Sequence, residues 1–362
     1  MAAAAEGRER HALDLIERVR AKPLRFREPQ ITMAHGAGGK ASASLIEGLL
    51  VPAFGSETGR ALDDAGTVEV DGLGLKLTTD SFVVKPIRFP GGSIGELAVN
   101  GTVNDLAVSG ARPLALTLSL VLEEGLSAED LRAEVEAIAT AARRAEVEIV
   151  AGDTKVVERG KCDSMYVTTT GVGRIDDRAR LSPSSLRPGD KILVSGPIGD
   201  HGVAVMLARG EFELEAPVVS DTRSLWPAAD ALLEAAGQSL RCMRDATRGG
   251  LASALNELAR ASGVAMVIRE ARVPVHAAVT GACEILGIDP MYVANEGKLV
   301  AFVAPEAADA ALEALRSVEG CEEAVEIGEV KTEPPGMVLV ETAFGGRRVM
   351  DLLVGDPLPR IC

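Results

Sequence analysis

Residues 73–79 read LGLKLTT and residues 114–122 read LALTLSLVL, while residues 94–109 and 127–146 carry apolar residues at helical spacing. Short apolar runs that alternate with longer helical patterns argue for an α/β fold of the mixed α+β kind. Working outward, residues 175–190, IDDRARLSPSSLRPGD, gather turn residues between a strand ending near Ile175 and a new apolar run, KILVSG. A domain boundary is therefore placed there, giving domains at 31–178 and 179–354. The second half repeats the style, with a helix expected at 249–261, strands at 264–268 and 298–303, and a helix at 306–316. Residues 334–354, PPGMVLVETAFGGRRVMDLLV, read as two strands joined by a Gly345-Gly346 turn. The closing GDPLPRIC, residues 355–362, cannot be regular structure because Pro357 and Pro359 remove donors, so a flexible, extended arm is expected. At the other end, residues 1–30 form an extension. Leu13, Ile16 and Val19 there suit one amphipathic helix before Pro23 and Pro29.

The chain has 362 residues, 47% of them apolar, enough for two domains with substantial cores. With 53 acidic against 38 basic residues the net charge is -15, and only 3% of residues are aromatic, which disfavours nucleic-acid binding. No run approaches the ~20 apolar residues that span a bilayer, and no signal peptide is apparent, so a cytoplasmic protein is expected. Five cysteines without CxxC spacing indicate neither a disulfide framework nor a zinc knuckle, and the four histidines lack HxxxH spacing.

Several acidic residues appear where an apolar strand stops: Asp80 after LKLTT, Asp153 after EIVAG, and Asp245 before TRGG. Asp105, beside Asn104 in a helical stretch, adds a fourth. Oxygen ligands of this kind suit Mg²⁺ held against phosphates, although any one Asp alone reads equally as a cap or turn residue. His35-Gly36-Ala37-Gly38-Gly39-Lys40 runs into a helical stretch, so its N–H groups could cradle an anion. Because Lys40 is followed by Ala41, this is not a Walker A loop, and a glycine-rich turn serves as often as a simple connection. Thr247-Arg248-Gly249-Gly250 opens a second helix in the same way. Two such loops with the carboxylates favour a nucleoside triphosphate. Lys155, two residues beyond Asp153 and Thr154, suits phosphate neutralisation or a plain surface position. Glu296 in VANEGKLV suits a base, a ligand or a turn. Cys362, the last residue, is expected to be exposed, so that thiolate chemistry or a casual thiol explains it; prenylation would need three more residues.

In order, HGAGGK, LTTDSFVVKP, VNDLAVSGARP, IVAGDTKVV, RDATRGGLA, NEGKLV and the closing PRIC resemble the HypE family of hydrogenase maturation proteins, from about Ile31 to Cys362. The internal motifs are also similar to the wider PurM-like group of aminoimidazole ribonucleotide and selenophosphate synthetases. PRIC is the discriminating feature. The resemblance implies two PurM-like domains, the N-terminal sheet serving a homodimer, with ATP and Mg²⁺ as cofactors. It implies that a HypF carbamoyltransferase loads Cys362, that ATP dehydrates the thiocarboxamide to a thiocyanate, and that the cyano group passes to iron on a HypC–HypD scaffold. On this match Glu296 is the base and Lys155 the phosphate-side cation. Asp80, Asn104, Asp105, Asp153 and Asp245 match the metal-nucleotide motifs, with Thr154 among the nucleotide contacts. The remaining alternatives are another PurM-like ATP enzyme with Cys362 incidental, or a non-catalytic nucleotide-binding adaptor.

Overall fold

A computed structural model describes residues 25–54, 63–210, 216–353 and 361–362. The helix expected at 8–20 lies outside the described residues, as does most of the closing arm.

The first sheet has five strands: β1 (Gly66–Val70), β2 (Leu73–Phe82), β3 (Ala111–Glu123), β4 (Glu148–Val157) and β5 (Met165–Ile175), in the order β1-β2-β5-β3-β4. All neighbours are antiparallel except β3 and β4. The parallel pair is joined through a helix, as a crossover requires. The second sheet has seven: β6 (Lys191–Val194), β7 (Leu240–Asp245), β8 (Ala265–Arg269), β9 (Leu299–Val303), β10 (Val325–Lys331), β11 (Val338–Glu341) and β12 (Arg347–Met350). Their order is β12-β11-β8-β10-β6-β9-β7. Between the two sheets the chain runs through residues 176–190, where the turn residues lie.

The helices that matter for the site are α1 (Lys40–Leu45), α2 (Ile94–Val108), α3 (Ala128–Arg144), α4 (Asp200–Ala208), α5 (Trp226–Ala236) and α6 (Gly250–Ser262). Helix α2, IGELAVNGTVNDLAV, is buried on almost every side because it packs on β2, β3 and β5 and also meets α5 and β7 of the second half. Apolar and small residues on most of its faces suit such an interior, and the helix carries Asn104 and Asp105 to the junction of the two halves. Helix α6 buries Leu251, Leu255 and Leu258 and stops at Gly263, whose N–H bonds Ala259 O at φ +69°.

Two expectations for strand ends are corrected. β2 continues past Asp80 to Phe82, and β4 continues past Asp153 to Val157. Ser81 and Phe82 after Asp80, and Thr154, Lys155, Val156 and Val157 after Asp153, keep the ladders going, so each Asp lies inside a strand. β4 is an edge strand exposed from Glu148 to Val156, with Val150 61% and Val156 67% exposed. A long apolar edge of this kind is a surface that natural proteins usually cover. No described helix is long and apolar enough to cross a membrane.

Candidate functional site

The two glycine loops, one from each half of the chain, lie against each other. The Arg248 guanidinium donates to Gly36 O (3.0 Å) and Ser253 Oγ donates to Gly38 O (3.0 Å). Gly38 turns at φ +72°, and a Cβ there would stand 2.7 Å from Arg248 O, so only glycine permits the approach. The loops border a cavity of ≈ 1110 Å³ that is also lined by Asp64, Asp80, Asp105, Asp245 and Thr247. His35 joins them: Thr32 N–H donates to its Nδ1 (3.0 Å), so Nε2 carries the proton, buried without a partner among the described residues.

Asp105 comes from α2, Asp245 from the end of β7, and Asp64 from the stretch before β1. Their carboxylate oxygens lie within 4.8 Å of one another. Thr78 Oγ1 donates to Asp105 Oδ2 (2.6 Å), and Thr102 Oγ1 to Asp80 Oδ2 (3.4 Å). Burial raises Asp64, Asp80 and Asp105, with neighbouring carboxylates adding to it at Asp64 and Asp105, and burial pushes Asp245 up to about 7. Arg244 offsets part of this through an ion pair with Asp64 (2.6 Å), while Asp64 Oδ2 has no hydrogen-bond partner among the described residues. Crowded carboxylates with an unsatisfied oxygen suit a hard divalent cation.

This cluster has a pH consequence. Asp245 titrates higher folded than unfolded, so its contribution is fully present at acid pH and is lost as pH rises towards about 7. A bound cation reverses the preference by favouring the carboxylate. We expect Mg²⁺ to raise the melting temperature more at pH 8 than at pH 6, and Asp245→Asn to flatten that difference; thermal scans with and without Mg²⁺ measure both.

Beside the cluster, Glu296 is 2% exposed. Its N–H donates to Asp221 Oδ1 (3.0 Å) and its carbonyl accepts from Asn104 Nδ2 (3.1 Å), which fixes the backbone while Oε1 is left unpartnered among the described residues. Burial raises Glu296, reinforced by Asp245, Asp221 and Asp80 and opposed by Arg248. Cys362 is the next neighbour. Burial pushes its thiol up to about 12, with Glu296 the leading charged neighbour and Arg248 opposing. Its main-chain oxygen accepts from Val83 N–H (3.1 Å), and Ile361 is 3% exposed in an apolar cluster. Cys362 is half-buried where exposure was expected: Ile361 brings an apolar anchor, and burying it draws the neighbouring sulfur inward.

Other sequence candidates lie elsewhere. Asn104 spends its amide on Arg223 O and Glu296 O and its Oδ1 on Leu225 N–H (2.7 Å), so it braces backbone and does not face the carboxylates. Lys40 pairs with Asp351 (2.8 Å) outside the cavity. Asp153 and Lys155 pair with each other (2.6 Å) on exposed β4, at 63% and 66% exposure, with Thr154 between them, all outside the cavity of this chain. Gly249 and Gly250 shape the start of α6; a Cβ at Gly250 (φ +61°) would lie 2.6 Å from Met291 O. Sequence reading passed over Asp64, whose only signal is an acidic pair just before a strand, and Asp221, which sits in an unpatterned loop.

The chain matches the N-terminal domain model of AIR synthase related proteins over residues 62–175 and the C-terminal domain model over 187–340. It is 47% identical to the carbamoyl dehydratase HypE of Bradyrhizobium diazoefficiens, covering 94% of this chain and 99% of that protein. Among solved structures, a HypE–HypF complex matches with TM-score 0.80 at 45% identity, covering 85% of this chain and 99% of that one. A HypE structure in complex with ATP matches with TM-score 0.77 at 44% identity, covering 92% of this chain and 100% of that one. With the two-domain architecture, the paired glycine loops and this coverage, the chain belongs to the HypE family of enzymes, whose curated members are named carbamoyl dehydratases.

Proposed function

We propose that the chain dehydrates a carbamoyl group carried as a thiocarboxamide on its own Cys362, using ATP. The observation that carries this reading is the anchoring of Ile361 and Cys362 by His201 and Val83, which holds the sulfur within electrostatic reach of Glu296, Arg248, Asp80 and Asp245. In balanced form, R–S–C(=O)NH₂ and ATP give R–S–C≡N, ADP and inorganic phosphate. An amide oxygen leaves poorly, so its phosphorylation creates a leaving group, while the nitrogen must lose both protons. Glu296 is the base in this reading, because its Oε1 has no hydrogen-bond partner among the described residues and burial raises its basicity. Asn104 and Asp221 act as positioning residues that hold its backbone. Arg248 counters negative charge next to the sulfur.

Asp64, Asp105 and Asp245 would hold Mg²⁺, with Asp80 behind Asp105, and the ion when bound would neutralise phosphate charge. His35 Nε2–H and the N–H groups of the two glycine loops are donors suited to the nucleotide. A relative in this family is described in complex with ATP, which supports that assignment. The thiol docked at about 12 is protonated at neutral pH, so loading of Cys362 by a carbamoyltransferase belongs to an undocked tail. A relative in complex with HypF supports that partner, and an iron-bearing HypC–HypD scaffold is the proposed acceptor of the cyano group in nickel-iron hydrogenase maturation. If the reading holds, carbamoylated chain releases one phosphate per thiocarboxamide on addition of Mg-ATP; phosphate release at the same rate from unmodified chain would contradict it.

The exposed apolar edge and face of the first sheet, with Val150, Val156 and Leu77, support a homodimer formed there. Such a dimer offers the route by which Lys155, Asp153 and Thr154 of one copy reach the nucleotide of the other. A complementation test follows: Lys155→Ala and Glu296→Gln chains, each inactive alone, regain about a quarter of wild-type activity when mixed and allowed to exchange. Absence of recovery despite verified subunit exchange would assign Lys155 no role across the interface.

A further inference from the structure

We propose that His201 is a positioning residue that holds the docked C-terminus through the carbonyl of Ile361, the residue before the carrier cysteine. The proposal rests on the carrier reading of Cys362 for its purpose, though the contact itself stands independently of it. His201 lies on α4, is fully buried, and its Nε2 stands 2.8 Å from Ile361 O. A carbonyl oxygen only accepts, so Nε2 must carry the proton. Burial lowers the imidazole's proton affinity and keeps the ring neutral, leaving Nδ1 as an acceptor. Ser220 Oγ, 2.8 Å away, then donates to Nδ1 and itself accepts from Thr222 N–H (3.2 Å). Every group in this relay is satisfied, and the direction of the chain is fixed: Thr222 to Ser220 to His201 to the tail.

The surroundings make the relay selective for the last two residues. The His201 ring meets Phe89 edge to face, with centroids 5.4 Å apart, which sets its plane. Ile361 enters the cluster formed by Phe82, Val84, Phe89 and Ile94. Val83 N–H binds Cys362 O from the first domain while His201 binds Ile361 O from the second. The two bonds, one to the Ile361 carbonyl and one to the main-chain oxygen of Cys362, fix the direction of the dipeptide, and the apolar pocket fixes its depth. Together they set where the sulfur stands relative to Glu296. Without the His201 donor, Ile361 O would enter an apolar pocket unpaired, and the docked state would lose population.

Alkylation of Cys362 by iodoacetamide in the full-length chain, mapped by mass spectrometry, reads the undocked fraction directly. It needs neither carbamoyl donor nor ATP, so its outcome is separable from that of the dehydratase reading. His201→Phe keeps the ring and its contact with Phe89 but removes the donor, and is expected to speed Cys362 alkylation about tenfold, the factor that corresponds to ~1.4 kcal/mol of lost hydrogen bonding. His201→Gln, whose amide nitrogen replaces Nε2–H, should restore most of the protection. Ser220→Ala frees the tautomer and should give a several-fold increase. With thiocarboxamide-loaded chain, dehydration follows the docked fraction and should therefore fall by much less than alkylation rises, while loading should not fall. Unchanged Cys362 alkylation in folded His201→Phe would overturn the proposal, as would a parallel rise at Cys283 and Cys321, which would mean general loosening. If His201→Phe does not fold, Ser220→Ala decides: a rise confined to Cys362 supports the relay and no rise refutes it.

Discussion

Replacement of Cys362 by alanine is expected to abolish modification of the chain by the carbamoyl donor and, with it, all cyano-group production, while leaving nucleotide binding intact. The other cysteines are poor substitutes. Cys162, Cys242, Cys283 and Cys321 are buried, and burial pushes Cys242 up to about 12 and Cys283 to about 11. Cys242 and Cys283 are fixed in a strand and a helix, and Cys162 and Cys321 are buried in loops. Cys362 instead follows Pro357 and Pro359 in the sequence, and among the described residues its segment is held by the hydrogen bonds of His201 to Ile361 O and Val83 N–H to Cys362 O and by the Ile361 side chain. Isothermal calorimetry with Mg-ATP and intact mass after incubation with the donor check the two halves of the expectation. Wild-type levels of modification in Cys362→Ala would end the carrier reading.

Glu296→Gln is expected to slow dehydration by about 10²–10⁴-fold, the usual span for loss of a positioned base. The substitution keeps size and leaves the backbone bonds to Asp221 and Asn104 in place, so loading of the tail should continue. Stability gives an independent readout. Because burial raises Glu296 above its unfolded value, its carboxyl contributes stability at acid pH that is lost as pH rises through the folded value. The Gln variant lacks that loss, so relative to wild type it should melt higher at pH 8 than at pH 5. A variant that dehydrates at the wild-type rate would remove Glu296 from the chemistry.

The regular elements were largely legible because they are governed by local pattern. The helix read at 94–109 is α2 at Ile94–Val108, the strand read at 298–303 is β9 at Leu299–Val303, and the two strands around Gly345-Gly346 are β11 and β12. What sequence spacing could not supply was the direction of individual side chains. Asp153 and Lys155 are two apart on β4 and therefore share a face, but both faces of this edge strand are exposed in the chain, so the motif alone does not bring them to the cavity. Asp105 and Asn104 are adjacent on α2, so they point about a quarter-turn apart, one to the carboxylates and the other to backbone groups near Leu225. Asp64 joins the cluster only because the chain before β1 passes Arg244, 180 positions away. The docking of Ile361 and the half-burial of Cys362 likewise depend on a pocket built from Phe82, His201 and their neighbours, which no local pattern marks.

The most direct test of the central claim is the intact mass of the full-length chain carrying a carbamoyl group on Cys362, recorded before and after addition of Mg-ATP. The account predicts loss of the mass of one water from the C-terminal peptide, with phosphate released, and no loss when ATP is replaced by a nonhydrolysable analogue. Retention of the thiocarboxamide in the presence of Mg-ATP, or the same mass change on a peptide lacking Cys362, would contradict it.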